Sequence, residues 1–160
     1  MDAHEPRWLN AEERQTWLSL TAMVINLSNA LDTQLQRDAQ ISHFEYQVLA
    51  TLSEAADRTM RMSELAILTN GSLSRLSHVV KRLEKQGWVR RTPDPDNGRY
   101  TLAVLTEAGW EKIVAAAPGH VEAVRRLVFD PLTQAQQRTL RTVGQRVNQA
   151  VVLADTCRPD

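Results

Sequence analysis

The residues with the clearest chemical meaning lie at positions 72–91, where three serines near the start are accompanied and followed by arginine and lysine. Leucine and valine recur there at helical spacing, so they are expected to turn inward and leave a polar face outside. That face carries Ser72, Ser74, Arg75, Ser77, His78, Lys81 and Arg82. Short side chains permit close approach to a DNA major groove, where Arg75 can donate two hydrogen bonds to guanine. The pattern predicts that Arg75 reads bases and that the serines and His78 contact bases or phosphate; the alternative is a solvated basic helix face.

The spacing of apolar residues changes after Gly87 from a repeat near 3.6 to a repeat near 2. This alternation covers residues 88–92 and again 100–105, and it predicts two short strands. Residues 93–98 between them are rich in proline, aspartate, asparagine and glycine, which are common in turns. The segment therefore predicts a β-hairpin with a loop of about six or seven residues.

Three arginines on this hairpin are further candidates for DNA contact. Arg99 follows the loop, where a side chain can enter the narrow and electronegative minor groove. Arg90 and Arg91 lie on the first strand and are expected to neutralise phosphate. The alternative for Arg99 is an ion pair with Asp96 that only closes the hairpin.

Two helices are predicted ahead of these elements, because capping-box patterns occur at Asn10 and Ser42. The apolar residues that follow place the helices at 10–37 and 42–55. The first helix would be about 40 Å long, which is more than a small domain needs to cover its own core. Part of its apolar stripe is therefore expected to face a second copy of the chain.

A tight turn at residues 70–72 joins two shorter helices, and Gly71 is available there for a left-handed backbone. The later helix is expected to end near Gly87, which suits the position just past a helix. The residues expected to face the core are Met62, Leu65, Ala66 and Leu68 in the earlier helix and Leu73, Leu76, Val79, Val80 and Leu83 in the later one. Helix, turn, helix and hairpin in this order are the connectivity of a winged helix-turn-helix.

The C-terminal third is predicted to be helical. Thr106 is expected to cap a helix that runs to Phe129 and is kinked or broken at Pro118–Gly119, where a backbone donor is missing. Another capping box at Thr133 opens a last helix to about Val151. The fold class is thus mainly α with a small β-hairpin.

Length and charge limit the organisation of the chain. With 160 residues, of which 42% are hydrophobic and 24% charged, it is expected to form one domain, 1–160. The net charge of zero hides an uneven distribution: residues 1–71 hold five basic against ten acidic residues, 72–99 hold seven against three, and 100–160 hold seven against six. The segment with the basic excess can bind a polyanion although the total charge is zero.

Several classes of function are disfavoured. No P-loop, glycine-rich dinucleotide turn, nucleophile elbow or paired-carboxylate motif occurs, so we expect no catalytic residue and no cofactor. The four histidines lack metal-ligand spacing, so no metal site is expected, and the single cysteine, Cys157, is expected to be an incidental thiol. No signal peptide or membrane-spanning run is recognised, which predicts a cytoplasmic protein without membrane contact.

Five motifs in the helix-turn-helix, the hairpin and the start of the next helix carry a resemblance to a known family. They are Ser63–Ala66, Leu73–Leu76, Arg82–Val89, Asp94–Arg99 and Leu105–Gly109. Together they resemble the MarR family of bacterial transcription regulators, and the resemblance covers most of the chain. Asn97 departs from the family pattern, in which many members have aspartate before glycine and arginine, so any pairing of carboxylate with arginine is left to Asp96.

The resemblance implies an obligate homodimer. Its N- and C-terminal dimerisation helices, at 10–37 and 106–151, would intertwine with those of the second subunit. The two winged lobes, at 42–105, would then bind successive turns of a pseudo-palindromic operator, with half-sites about 10 base pairs apart. A transcription regulator, most simply a repressor, follows from this arrangement. The long first helix and the spaced apolar residues of the last helices favour the same dimer independently.

The resemblance also implies an effector, since many members of the family release DNA when a phenolic or other aromatic compound binds between the dimer helices and the winged lobe. Trp17, His43 and Tyr46 are the candidates here, because they offer stacking surface and hydrogen-bonding groups. The alternative is that these aromatic residues belong to the core.

A winged-helix module that docks another protein and binds no DNA is the alternative function for the whole chain. Such a module is expected to present a mixed or apolar surface on the later helix of the helix-turn-helix. That helix instead carries four basic residues, with Glu84 as the acidic residue among them, which disfavours this alternative.

Overall fold

A computed structural model describes residues 6–156, and it divides the chain into two compact units, one ending at His120 and the other beginning at Val121. Six α-helices and three strands are present among the described residues. The helices are α1 (Ala11–Ala39), α2 (His43–Glu54), α3 (Met62–Leu68), α4 (Leu73–Lys85), α5 (Glu107–Val124) and α6 (Gln134–Thr156). The strands are β1 (Thr59–Arg61), β2 (Val89–Pro93) and β3 (Thr101–Leu105). Short 3-10 and π-helical segments lie at Ala56–Arg58 and Arg125–Phe129.

Capping boxes begin both N-terminal helices, as predicted. The backbone N–H of Glu13 donates to Asn10 Oδ1 at 2.9 Å, and the Asn10 N–H donates to the Glu13 carboxylate at 2.8 Å. Ser42 and Glu45 make the same reciprocal pair at α2. These bonds satisfy backbone donors that a helix leaves unpaired in its first turn, which explains why the sequence pattern located both starts to within a residue.

The core of the first unit lies where α2, α3 and α4 pack against one another and the sheet. Its fully buried side chains include Leu35, Ile41, Val48, Leu49, Leu52, Leu65, Leu76, Val80, Leu83 and Val89. Burial of leucine and valine side chains is the main favourable term in folding a lobe of this size. The helical repeats identified in the sequence supply most of these residues.

The sheet has three strands, in the order β1-β3-β2, where two strands were expected. The β1 strand pairs antiparallel with β3, so that Thr59 faces Val104 and Arg61 faces Leu102. A strand of three residues is too short for its alternation to be recognised in the sequence. The added strand ties the hairpin to the start of α3, which directly follows β1.

Two leucines predicted to face the core do not. Leu68 and Leu73 are each 54% exposed, whereas the other predicted core residues of α3 and α4 are buried. Leu68 is the last residue of α3 and Leu73 is the first of α4. A helical side chain leans toward the helix N-terminus, so Leu73 points beyond the end of α4 and past the core.

The turn between α3 and α4 uses its residues differently from the prediction. Asn70 adopts the left-handed backbone, with a φ of 50°, and Gly71 does not. Gly71 is required for space, because a Cβ atom at this position would lie 2.6 Å from Phe44 Cζ. The glycine therefore allows α2 to approach the turn closely.

The C-terminal helices also differ in part from the prediction. The α5 helix continues through Pro118 to Val124, and the irregular segment begins at Arg125. Proline has a φ close to that of a helix, so it removes one hydrogen bond without ending the helix. The capping box at Thr133 is present, and α6 starts one residue later. Among the described residues, no helix is long and apolar enough to cross a membrane, and Cys157 lies outside the described residues.

Candidate nucleic-acid interface

The α4 helix separates an apolar side from a polar side. Leu76, Val79, Val80 and Leu83 are buried, while the polar side presents Ser74, Arg75, His78, Lys81 and Arg82 as exposed residues and Ser77 as a half-buried one. The Ser72 hydroxyl caps the helix by accepting the Arg75 N–H at 3.2 Å. Ser72, which was predicted to contact DNA, therefore serves as the N-cap of α4.

Arg75 is held by an aromatic ring and has no acidic partner among the ion pairs of the described residues. Its guanidinium carbon lies 4.1 Å from the centroid of the Phe44 ring. A guanidinium stacked on a ring keeps its hydrogen-bond donors free at the edges. The side chain is thus oriented and still able to donate two parallel hydrogen bonds.

Two other arginines predicted as contacts are paired with glutamates. Arg82 Nη2 lies 3.1 Å from an oxygen of Glu45, the capping residue of α2. Arg91 Nη2 and Nε lie 2.7 and 2.8 Å from Glu84 Oε2, and the Arg91 N–H donates to Glu84 Oε1 at 2.9 Å. Partial burial alone would raise the pKa of Glu84, but the hydrogen bonds from Arg91 outweigh it and hold the pKa below its usual value.

Arg99 lies exposed on the hairpin. Its backbone N–H donates to Asn97 Oδ1 at 3.2 Å, and within the described residues no ion pair joins it to Asp96. The hairpin carboxylate that pairs with an arginine is instead Asp94, which is buried and lies 2.8 Å from Arg61 Nη2. The expectation that this pairing is left to Asp96 is therefore wrong.

Asp94 organises the hairpin loop by accepting several hydrogen bonds. The Asp96 N–H donates to it at 3.0 Å and Arg61 Nε at 2.9 Å, and these bonds lower the pKa of Asp94 despite its burial. The Arg61 guanidinium also lies 4.6 Å from the Tyr100 ring centroid. Sequence reasoning missed Arg61, because only the pairing of β1 with β3 brings it to the hairpin.

Two hollows bring most of the predicted contacts together. The first, here called the α4 groove, has a volume of about 590 Å³ and is lined by Leu73, Ser74, Ser77, His78, Lys81 and Arg91. The second, the hairpin hollow, has a volume of about 260 Å³, and its lining includes Leu73, Ser77, Arg91, Arg99 and Tyr100. Arg90 lines neither hollow, because successive residues of a strand point to opposite faces.

The predicted effector residues are only partly brought together. The ring centroid of His120 lies 4.2 Å from that of Tyr46 and 5.5 Å from that of His43. Trp17 is 55% exposed on α1 and makes no aromatic contact with them. His120 was not predicted here, because it lies 74 positions after Tyr46 and no local pattern marks it.

A hydrogen-bond chain extends this cluster along α1. Gln34 Nε2 donates to Asp38 at 3.0 Å, which leaves Gln34 Oε1 to accept from His120 Nδ1 at 3.3 Å. Hydrogen bonds from Arg37 and Gln34 lower the pKa of Asp38 to about 2. Burial lowers the pKa values of His43 and His120, so both rings favour the neutral form.

A cleft of about 510 Å³ opens next to this cluster, between α1, α2 and α4. Its lining includes Ser28, Asp32, His43, Phe44, Arg75 and Arg82. Asp32 accepts the His43 N–H at 2.7 Å. The cleft therefore joins the His43 cluster to two arginines of α4.

A three-stranded wing beside a basic helix defines a winged helix-turn-helix, and comparisons with known proteins agree. The MarR family model matches residues 41–101. The crystal structure of Sco3205, a MarR family transcriptional regulator from Streptomyces coelicolor in complex with DNA, is 44% identical with a TM-score of 0.86, covering 98% of this chain and 94% of that one. The structure of AbsC, a MarR family transcriptional regulator from the same organism, is 34% identical with a TM-score of 0.87, covering 91% and 98%.

Matches to curated relatives are shorter. The uncharacterized HTH-type transcriptional regulator YdcH of Bacillus subtilis (strain 168) is 32% identical over 80 residues, so the alignment spans 49% of this chain and 54% of that relative. Other curated relatives are named as transcriptional repressors. The chain belongs to the MarR family, as its motifs indicated.

Proposed function

We propose that this protein is a sequence-specific, double-stranded DNA-binding transcription regulator that represses by occupying its operator as a homodimer. The observation that carries the proposal is the polar face of α4, where Arg75 is stacked on Phe44 with its donors free. The serines and His78 beside it are short enough for α4 to enter a major groove. Its similarity to Sco3205, which was solved in complex with DNA, supports the same assignment.

The wing supplies the second part of the proposed interface. Arg99 is exposed on the loop that Asp94 organises. Its guanidinium is therefore available to the minor groove that adjoins the major groove proposed for α4. Arg90 is exposed on β2 and suits a phosphate contact. In this proposal α4 and the wing together bind one operator half-site, and residues 42–105 form the DNA-binding lobe.

Two apolar surfaces support the proposal of a homodimer. The α1 helix exposes Trp17, Leu18, Val24 and Ile25, and α6 exposes Val143, Val147 and Val151. Several exposed apolar residues on one helix are typical of surfaces that subunits bury on assembly. We assign residues 10–37 and 106–151 to dimerisation.

An aromatic effector is proposed for the cleft between α1, α2 and α4. His43 lines it with Tyr46 packed close behind, and Arg75 and Arg82 line it as well. A compound bound there would contact Arg75 and Phe44, so it would compete with the conformation that reads DNA. Trp17 is not part of this proposed site.

The test is selection of bound fragments from random duplex DNA, followed by fluorescence anisotropy with the selected duplex at several KCl concentrations. A DNA-binding regulator is expected to select a sequence with two related half-sites and to lose about 10³-fold or more in affinity between 50 and 200 mM salt. Binding that is indifferent to salt, or no selected sequence, would refute the proposal. The alternative function, a module that docks another protein and binds no DNA, predicts that no sequence is selected.

Repeating the selection with a panel of aromatic acids tests the effector proposal separately. An effector is expected to weaken binding of the wild-type protein to its selected duplex. Replacement of His43 by leucine, which removes a polar group from the cleft, is expected to reduce the response. Equal release of the wild-type protein and the variant would place the effector elsewhere.

A further inference from the structure

Leu73 is an exposed leucine beside several of the residues that are proposed to contact DNA. It is the first residue of α4 and is 54% exposed, although its place in the helical repeat predicts burial. It lines both the α4 groove and the hairpin hollow, so residues proposed to contact DNA surround it. Its polar neighbours there include Ser74, Ser77, His78, Lys81, Arg91 and Arg99, and the hairpin hollow also holds Met62 and Tyr100.

Exposure alone does not assign a role to a leucine, since single apolar residues are common on protein surfaces. Ile67 and Leu68 on α3 are exposed to 76% and 54%, yet they do not line either hollow. What distinguishes Leu73 is its position at the N-terminal end of α4. The N-terminal residues of a recognition helix are those that meet base edges in the major groove.

The major groove offers one apolar group among many hydrogen-bonding ones, the C5-methyl group of thymine. Leucine has no hydrogen-bonding group in its side chain, so it cannot read guanine, adenine or cytosine by direct bonds. Resting on the proposed function, we propose that Leu73 determines specificity for a thymine in each half-site through contact with this methyl group. Arg75 and Leu73 would then read different bases by different chemistry.

The experiment replaces each thymine of the selected duplex, one at a time, by deoxyuridine. This change removes the methyl group and leaves every hydrogen-bonding group of the base in place. At one thymine per half-site the wild-type protein is expected to lose about fourfold in affinity, which corresponds to burial of one methyl group. The measurement is fluorescence anisotropy at one fixed salt concentration.

Leu73→Ala is expected to bind the thymine and deoxyuridine duplexes equally at that position, because its side chain no longer reaches the methyl group. Leu73→Met keeps a long apolar side chain and is expected to retain the difference. Ile67→Ala is the matched control, an exposed apolar residue outside the hollows, and it is expected to behave as wild type. Circular dichroism of each variant checks that the fold is intact.

The outcomes separate this inference from the proposed function. If the wild-type protein binds its duplex with normal salt dependence but is insensitive to every deoxyuridine, the thymine contact is refuted and DNA binding stands. The same conclusion holds if Leu73→Ala keeps the difference at the sensitive position. If no sequence-specific duplex is found, the proposed function fails and this inference fails with it.

Discussion

At the scale of single residues, Arg75 and Phe44 act as a pair. The guanidinium carbon lies 4.1 Å from the ring centroid, so this contact restrains the side chain and the arginine would lose less conformational freedom on binding a base. Arg75→Ala is expected to cost about 1 to 3 kcal/mol of binding free energy and to relax the preference at one position per half-site. Arg75→Lys should lose much of the same preference, because an ammonium group lacks the forked geometry.

The measurement is binding to the selected duplex and to a set with single base changes. Lys81→Ala serves as the control, because the loss of a lysine that contacts phosphate is expected to weaken binding to all sequences alike. A variant of Arg75 with full affinity and unchanged sequence preference would contradict the assigned role.

Arg90 and Arg91 are adjacent in sequence but differ in their partners. Arg91 is held by Glu84 at 2.7 Å, while Arg90 is exposed on the opposite face of β2. Arg90→Ala is expected to reduce the magnitude of the negative slope of log affinity against log salt by about one unit. Arg91→Ala should reduce that magnitude less, because Glu84 already neutralises part of the charge of Arg91. Glu84→Gln should raise the affinity. Anisotropy titrations over a series of KCl concentrations measure the affinity and the salt slope of each of the three variants.

At the scale of elements, the turn between α3 and α4 supports the ring on which Arg75 packs. A Cβ atom on Gly71 would lie 2.6 Å from Phe44 Cζ, so Gly71→Ala must displace the ring on which Arg75 rests. We expect a loss of about 1 to 3 kcal/mol in the free energy of unfolding, together with weaker DNA binding. Gly98→Ala, where a Cβ atom meets nothing within 4 Å, is expected to change stability by less than about 0.5 kcal/mol. Urea unfolding compares the two variants.

The cluster formed by His43, Tyr46 and His120 predicts an acid-sensitive fold. Burial lowers the pKa of both histidines; the nearby His43 lowers the pKa of His120 further, and Asp32 opposes the shift at His43. The unfolded chain, with an ordinary histidine pKa of about 6.5, then binds protons more readily than the folded one. Stability is therefore full above that pH and is lost as the pH falls through the lower pKa values of the folded state.

His120→Gln removes one of these rings and is expected to flatten the decline in the free energy of unfolding between pH 7 and pH 5. His78→Gln changes an exposed histidine of α4 and is expected to keep the wild-type decline. Urea unfolding at a series of pH values gives the result. An unchanged decline in the His120 variant would show that the cluster does not govern acid sensitivity.

Local signals explain which elements were predictable. The starts of α1 and α2 follow from capping boxes, which act over three residues, and the buried side of α4 follows from its helical repeat. The β1 strand and the Arg61–Asp94 pair were missed, because they depend on contacts between segments 33 or more residues apart. Leu73 was misplaced for a similar reason: periodicity gives the direction around the helix but not where the core ends.

At the scale of the whole molecule, the exposed apolar residues of α1 predict that assembly and DNA binding are linked. Val24 is 56% exposed, and Val24→Glu would place a charge in the proposed subunit interface. We expect this variant to sediment as a monomer and to lose most of its operator affinity, since two linked half-sites bind far more tightly than one. Analytical ultracentrifugation and anisotropy measure the two properties. Operator binding at wild-type affinity by a purely monomeric variant would contradict the dimer model.

The spacing of the two lobes in the proposed dimer gives a test on the DNA side. Insertion of five base pairs between half-sites turns one of them to the opposite face of the duplex. Binding by a dimer that bridges successive turns is then expected to fall to the level of a single half-site. A duplex with the same insertion outside the half-sites is the control. Unchanged affinity for the first duplex would mean that the lobes bind independently.

Glu45 and Glu84 each divide their two oxygens between a backbone N–H and an arginine side chain. When DNA phosphate draws Arg82 or Arg91 away, neither carboxylate is left without a hydrogen bond, and neither local backbone contact has to break. In the proposed complex these glutamates would therefore act as temporary counterions, which hold Arg82 and Arg91 in the free protein and give them up to phosphate when a duplex binds.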